Sequence, residues 1–234
     1  MITAGLRALT YALAAVLFAG CATTGSRVDP LEPANRALYQ VHEVIDGNLV
    51  KPIAQAYVDY TPKFARMMVS SFIGNIDDLF SGVNGLLQGK PQKAGDDFGR
   101  VLINSLFGIG GLFDVASEMG IESGDEDFGQ TFRHWGIPAG PYLFVPLFGP
   151  MTVTDGVGFV LRIAWSPVDE FAAVAVRNVL WGVGYIDLRA AALEAGEIVD
   201  TAALDRYLFI RNAYLQRRRY MTFDGKPPTQ DEDD

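Results

Sequence analysis

The sequence TPKFARMMVSSFIGNIDDL, residues 61–79, predicts an amphipathic helix. It begins with Thr followed by Pro. Thr is favoured as the cap of a helix, and Pro is favoured at the first helical position. Apolar side chains then recur at intervals of three and four residues. They are Phe64, Met67, Met68, Phe72, Ile76 and Leu79. Gly74 and Asn75 interrupt the pattern, so we expect a bend there.

Similar patterns cover most of the chain. Residues 33–50 are rich in helix formers, and we expect Pro52 to end or kink that element. Another helix opens at Pro91, and further patterns predict helices over residues 113–119, 126–135, 154–165, 167–192 and 204–221. Alternating strand patterns are nearly absent, and no internal repeat is visible. The sequence therefore predicts an all-α fold with a single helical domain over residues 33–223.

The N-terminus has the features of a bacterial export signal over residues 1–20. Arg7 is the only charged side chain before a short apolar run that ends in small residues. The one cysteine, Cys21, follows directly, where lipoproteins carry a diacylglycerol thioether and an acylated amine. We therefore expect covalent acyl and diacylglycerol groups at Cys21 and a linker over 21–32, the alternative being an ordinary secretory signal. The residue after Cys21 is Ala22. Asp at this position would favour retention in the inner membrane, so Ala22 favours the outer membrane.

The composition indicates contact with a membrane rather than with nucleic acid. Hydrophobic residues make up 49% of the chain, yet no segment after the signal has the roughly 18 uninterrupted apolar residues of a spanning helix. The formal net charge of −9 argues against nucleic acid and against a basic surface for anionic lipids. Residues 224–234 are acidic and lack apolar residues to bury, so we expect a disordered tail.

Residues 136–150, GIPAGPYLFVPLFGP, predict an apolar loop, because four prolines exclude a regular helix. So many apolar side chains cannot all turn inward from an irregular backbone. Lipid or a protein partner should therefore cover them. The residues expected to face a membrane or a partner protein are Pro141, Tyr142, Leu143, Phe144, Val145, Leu147 and Phe148.

Catalytic motifs are missing from the sequence. His42 and His134 are the only histidines, no HExxH motif is present, and no serine has the Gly-x-Ser-x-Gly context of a hydrolase. We therefore expect no catalytic residue, no metal and no cofactor. A phospholipase or acyltransferase remains an alternative, and it would need a serine paired with one of the histidines. The candidate serines are Ser70, Ser71, Ser105 and Ser166.

Seven ordered blocks together resemble the MlaA (VacJ) family of lipoproteins. They are DPLEPANR at 29–36, DYTP at 59–62, Asn75 with NGLLQG at 84–89, RVLINS at 100–105, GIGGLFD at 108–114, FGQT at 128–131 and GPY at 140–142. The resemblance implies an all-helical, ring-like protein in the periplasmic leaflet of the outer membrane of a Gram-negative bacterium, associated with trimeric porins. It further implies that phospholipids misplaced in the outer leaflet pass through an amphipathic channel to a periplasmic carrier of the Mla pathway, which maintains lipid asymmetry. A porin-associated scaffold that transports nothing is the main alternative.

Polar residues in the last third of the chain are candidates for the channel wall, namely Asp155, Arg177, Asp187 and Arg189. Asp155 is what remains here of an acidic stretch common in the family. Arg177 is the one charge in the apolar run 171–185, and a guanidinium suits a phosphodiester. The alternatives for Arg177 are a salt bridge to Asp169, Glu170 or Asp187, or snorkelling to the membrane surface.

Overall fold

The computed structural model describes residues 29–168 and 173–228. The expected signal peptide over residues 1–20, Cys21 and the linker up to residue 28 lie outside the described residues, as does the tail beyond residue 228. The described chain is helical except for one short β-hairpin and the connecting segments. The prediction of an all-α class is therefore confirmed, with the hairpin as an addition.

The first helical segment continues through Pro52. Helix α1 (Glu32–Ile45) leads directly into a π-helical turn (Asp46–Val50) and then into α2 (Lys51–Tyr60). The π-helical turn shifts the hydrogen-bond register just before Pro52. The prediction that Pro52 ends this element is wrong, and the alternative of a kink stays a prediction. Pro52 then lies in the first turn of α2, where its missing N–H is tolerated.

Helices α3 (Lys63–Leu87) and α4 (Pro91–Leu106) pack closely against each other. A Cβ atom at Gly82 would lie 2.8 Å from the Phe98 ring, and one at Gly85 would lie 3.2 Å from Ala94. Glycine at these two positions therefore allows the close approach. Helix α3 continues through residues 74 and 75 without a break, and the bend expected there stays a prediction.

Charged and polar side chains attach α4 to α3 and to the segment that follows α4. The Arg100 side chain donates to Asp78 at 2.8 Å and to Asp114 at 3.1 Å. Asp97, which is fully buried, accepts a hydrogen bond of 2.6 Å from Ser81. The contacts with Asp78 and Ser81 join α4 to α3, and the contact with Asp114 joins α4 to the cap of α5 (Val115–Glu118).

Residues 142–152 form a β-hairpin where the sequence predicts an irregular loop. Strands β1 (Tyr142–Val145) and β2 (Gly149–Thr152) are antiparallel, with Tyr142 opposite Thr152. The amide of Asn35 on α1 supports β1 from its other side. Its Nδ2 donates to the Tyr142 carbonyl and its Oδ1 accepts from the Phe144 N–H, both at 3.0 Å.

The strands bury some of the residues expected to face a membrane and leave others exposed or half-buried. Tyr142 and Phe144 are only 1% and 2% exposed and pack with Tyr39 and Tyr207 in the apolar core. The prediction that they face a membrane or porin is wrong, because successive side chains of a strand point to opposite sides. The other members of that set behave differently. Pro141 and Phe148 are exposed, while Leu143, Val145 and Leu147 are half-buried.

The remaining helices are α6 (Phe128–His134), α7 (Val153–Ala164), α8 (Val174–Ala191), α9 (Leu193–Ala202) and α10 (Arg206–Thr222). Helices α6, α7 and α10 confirm three predicted helices, with small shifts at their ends. Helix α8 falls within the predicted helix 167–192, and α9 lies where no pattern predicts one.

Residues 224–228 pack on the helical body, although the sequence predicts a disordered tail from residue 224. Asp224 accepts hydrogen bonds of 2.7 Å from both Lys90 and Lys93. Burial opposes the charged form, but these lysines outweigh it and lower the pKa of Asp224 to about 2. The Arg219 side chain also donates to the Pro228 carbonyl at 2.9 Å. The start of the predicted tail therefore belongs to the folded domain.

The described chain has a polar interior and an apolar exterior. Its buried polar and charged residues outnumber its buried apolar residues, while large apolar side chains are exposed on most helices. Helix α8 is rich in apolar side chains, and it has no buried residue. None of the helices in the described ranges has the length and apolar character needed to cross a membrane. An exterior this apolar requires a lipid or protein covering.

Candidate functional site

Two cavities lie on either side of the hairpin tip. Cavity A, of about 390 Å³, is bounded mainly by α3, α6, α7 and α10. Cavity B, of about 500 Å³, is bounded mainly by α1, α8, α9 and the start of α10. Phe148 and Pro150 line both cavities, so the hairpin separates two adjoining spaces.

Cavity A has an amphipathic lining. Its apolar side chains include Phe80, Phe128, Phe148, Met151, Phe159 and Met221. Its charged side chains are Asp77, Asp125, Glu126, Asp127, Asp155, Arg162, Arg217 and Arg218. Such a lining can contact an apolar group and a charged group of the same molecule.

Asp155 caps α7 and carries a charge at cavity A. Its carboxylate and the Thr152 hydroxyl form a capping box, which satisfies N–H groups at the start of the helix. Arg133, Arg218 and Tyr214 also donate to this carboxylate. Burial disfavours the charged form, but the charge of Arg218 and the hydrogen bond from Tyr214 outweigh it. The pKa of Asp155 is therefore lowered.

Arg218 connects two helix starts across cavity A. It donates at 2.6 Å to Asp155 and at 2.9 Å to Asp127, the residue that caps α6. Gly129 in the first turn of α6 makes room for this bridge, because a Cβ atom there would lie 2.8 Å from Arg218 Nη2. The close crossing of α6 and α7 also depends on Gly158, where a Cβ would lie 2.9 Å from the Gly129 nitrogen.

Cavity B contains a two-point ion pair. Nε and Nη2 of Arg189 each donate at 2.7 Å to one oxygen of Asp46, which the π-helical turn carries. The hydrogen bonds from Arg189 lower the pKa of Asp46 despite its burial. Ion pairs of Arg206 with Glu43 and of Lys51 with Asp200 add further charges to the lining.

Two side chains of cavity B hold the hairpin tip. Nδ1 of His42 accepts the Leu147 N–H at 3.2 Å, and the Tyr185 hydroxyl donates to the Leu147 carbonyl at 2.8 Å. Leu147 has a φ of 71°, a left-handed conformation that leucine rarely adopts. Burial lowers the pKa of His42, which favours the neutral imidazole that this acceptor role requires.

The structure does not bring the four channel candidates together. Asp155 lines cavity A and Arg189 lines cavity B. Asp187 lies outside both cavities and accepts from Tyr57 at 2.9 Å and from Ser70 at 2.6 Å. Burial and this hydrogen bond raise the pKa of Tyr57 to about 12. Arg177 lines neither cavity, and two of its alternative partners, residues 169 and 170, lie outside the described part of the chain.

Several residues of the two cavities are not predicted from the sequence, notably Arg218, Asp127, Asp46 and His42. A signal exists for Asp127, because it directly precedes a glycine-containing helix start and Asp is a favoured cap. Arg218 lies in a run of three arginines, and nothing local shows which of them is buried. The position of Asp46 depends on the π-helical turn, which has no clear sequence signature.

Neither a metal cluster nor a pairing of Ser70 with His42 is found in the described ranges. No group of three or more His, Cys, Asp or Glu side chains is placed to hold a metal ion there. His42 accepts an amide N–H from Leu147, and Ser70 donates to Asp187. These two residues therefore do not form the nucleophile and base pair of a hydrolase.

The fold and cavities define a helical protein with an apolar exterior and amphipathic cavities that are partly open. The chain belongs to the MlaA lipoprotein family, whose model matches residues 27–221. The resemblance found in the sequence blocks is thereby confirmed.

Relatives from several bacteria match nearly the whole chain. The intermembrane phospholipid transport system lipoproteins MlaA of Escherichia coli (strain K12) and Shigella flexneri are both 33% identical over 229 residues, 94% of this chain and 90% of the relative. The same protein of Haemophilus influenzae is 32% identical and covers 93% of this chain and 91% of the relative.

A solved structure shares the fold. It was determined in work on the structural basis for maintenance of bacterial outer membrane lipid asymmetry. The match has a TM-score of 0.73 at 32% identity and covers 84% of this chain and 100% of the solved chain.

Proposed function

We propose that this protein removes mislocalised phospholipids from the outer leaflet of the outer membrane and passes them to a periplasmic carrier. By doing so it maintains the lipid asymmetry of that membrane. The relatives named as lipoproteins of an intermembrane phospholipid transport system support this function. The solved structure from work on outer membrane lipid asymmetry supports it as well.

The observation that carries the proposal is that the domain has a polar interior and an apolar exterior. A phospholipid in transit needs an apolar surface for its tails and polar groups for its headgroup. Cavities A and B offer both, since aromatic and aliphatic side chains lie beside buried ion pairs. Charged cavities of this kind favour a transporting protein over a scaffold that only holds porins.

The exposed apolar side chains support a position of the domain in a lipid environment. We expect it to lie, as a ring-like body, in the periplasmic leaflet, with porin trimers covering part of its exterior. Three acyl chains at Cys21 would exceed the two signals that stable anchoring takes. The proposed step makes and breaks no covalent bond, so it requires neither a nucleophile nor a cofactor.

Photoreactive phospholipids test this path. One probe carries its reactive group on the headgroup and the other carries it at the end of an acyl chain. With the full-length protein in vesicles, the headgroup probe should label peptides of α6 and α10 that line cavity A. The acyl probe should label apolar surfaces. Headgroup labelling confined to the outer faces of the helices would contradict a path through the cavities.

A further inference from the structure

Internal ion pairs neutralise most of the charges of cavity A. The pairs are Asp77 with Arg162, Glu126 with Lys90 and Lys93, and Arg218 with both Asp127 and Asp155. Arg133 provides a second cation to Asp155. These charges stabilise each other and the helices that carry them.

Two charged residues of the lining, one acidic and one basic, have no ion-pair partner among the described residues. Asp125 and Arg217 are both exposed at cavity A. In the part of the chain that the structure describes, neither forms an ion pair, and Asp125 accepts only a long hydrogen bond of 3.4 Å from Ser123. Arg217 differs in this from Arg218, which is buried and ion-paired.

The backbone of Asp125 is held in an uncommon conformation. Its φ is 52°, in the left-handed region, and Gln130 Nε2 donates to its carbonyl at 2.7 Å. Aspartate tolerates this region better than most residues, but the conformation persists only where the surroundings enforce it. Gln130 is itself nearly fully buried, so it fixes the loop that presents the Asp125 carboxylate.

Glu126 beside it has an unused acceptor. Its side chain is 1% exposed, and Oε1 accepts from Lys90 and Lys93. The other oxygen, Oε2, is buried and has no hydrogen-bond partner. A buried carboxylate oxygen without a donor is costly. A ligand that brings N–H groups into cavity A would remove that cost.

We propose that Asp125 and Arg217 bind the two charges of a zwitterionic phospholipid headgroup. Arg217 binds the phosphodiester, because a guanidinium offers paired N–H donors to phosphate oxygens. Asp125 binds the ammonium group, and Glu126 Oε2 accepts from its N–H groups. A headgroup with a phosphate and no ammonium would satisfy Arg217 but leave Asp125 near a second negative charge. Cavity A therefore prefers phosphatidylethanolamine to phosphatidylglycerol. This inference rests on the proposed function.

Competitive lipid binding tests the preference. Full-length protein in detergent is equilibrated with equal amounts of phosphatidylethanolamine and phosphatidylglycerol of identical acyl chains, and bound lipid is measured by native mass spectrometry. The wild type should bind more phosphatidylethanolamine. Asp125→Asn should reduce the ratio of the two lipids about tenfold, since one charge-assisted hydrogen bond is lost. Arg217→Gln should reduce binding of both lipids by a similar factor.

Matched variants outside cavity A serve as controls. Asp96→Asn removes an exposed acid and Arg219→Gln removes a cation on the same helix as Arg217, so both should keep the wild-type ratio. Circular dichroism checks that every variant is folded. Equal binding of the two lipids by the wild type, or an unchanged ratio in Asp125→Asn, would overturn the inference. Failure of the wild type to bind either phospholipid would instead contradict the proposed function, and this inference with it.

Discussion

Removal of the Arg218 side chain should destabilise the domain strongly. Arg218→Met keeps most of the side-chain volume but leaves Asp127 and Asp155 without their shared cation. In the native structure Arg218 donates to Asp155 at 2.6 Å and to Asp127 at 2.9 Å. The variant therefore isolates the electrostatic part of the bridge between α6 and α7.

The two carboxylates contribute unequally to the loss of stability expected for Arg218→Met. The side chain of Asp127 is 44% exposed, so its pair with Arg218 contributes at most about 1 kcal/mol. The side chain of Asp155 is only 11% exposed, and breaking a buried pair costs about 3 to 5 kcal/mol. Because Arg133 and Tyr214 still contact Asp155, we expect a total near the lower limit, about 3 kcal/mol. For a domain of this size that corresponds to a fall in Tm of about 6 to 12 °C.

The loss of stability caused by Arg218→Met should become smaller at low pH. The pKa of Asp155 is lowered in the folded protein, so its contribution to stability is present above the ordinary aspartate pKa of about 3.9. This contribution disappears as pH falls through the lowered value, where the carboxylate becomes protonated. The difference in Tm between wild type and variant should therefore be largest near neutral pH and shrink below about pH 4.

Thermal unfolding of the detergent-solubilised protein, followed by tryptophan fluorescence, measures both effects. Arg217→Met is the matched control, because this neighbouring arginine is exposed and forms no ion pair among the described residues. Its Tm should change by less than about 2 °C, as for an ordinary surface substitution. Equal Tm values for the Arg218 variant and the wild type at pH 7 would refute the assignment of Arg218 as a structural bridge.

Three further substitutions test the exterior and the anchor. Phe148→Asp should weaken membrane or porin association by about 2 to 3 kcal/mol without loss of helix content, because Phe148 is exposed; unchanged flotation with vesicles would place the hairpin tip elsewhere. Phe144→Asp should instead unfold the domain, since Phe144 is 2% exposed in the core, and a cooperative melt like that of the wild type would argue against this packing. Cys21→Ser should give an unacylated, mislocalised protein, and mass spectrometry of the mature N-terminus decides it, with active but unmodified protein counting against the anchor.

Helices could be predicted from the sequence because their signals are local. The start of α3 at Lys63 follows from Thr61 and Pro62, and α10 follows from its own residue pattern. The hairpin could not be predicted in this way. Its buried strand is supported by Asn35, which lies 107 residues away from Tyr142 in the chain. The prolines around it also hide the short alternation of the strand.

The site was predictable only in part for a related reason. Local sequence shows that a charge among apolar residues must find a partner, but not which partner it finds. Asp155 and Arg189 line two different cavities, whereas Asp187 pairs with Tyr57 and Ser70 outside both. The seven sequence blocks that resemble the MlaA family indicate the nature of the ligand. Periodicity and composition do not.

Phospholipid transfer in vitro tests the central claim most directly. Vesicles with the full-length protein and a fluorescent phospholipid are mixed with a purified periplasmic lipid carrier, and lipid on the carrier is measured over time. Vesicles without the protein provide the baseline. The account predicts that phospholipid reaches the carrier substantially faster from vesicles that contain the protein. Equal transfer rates with and without the protein, at equal lipid and carrier concentrations, would contradict it.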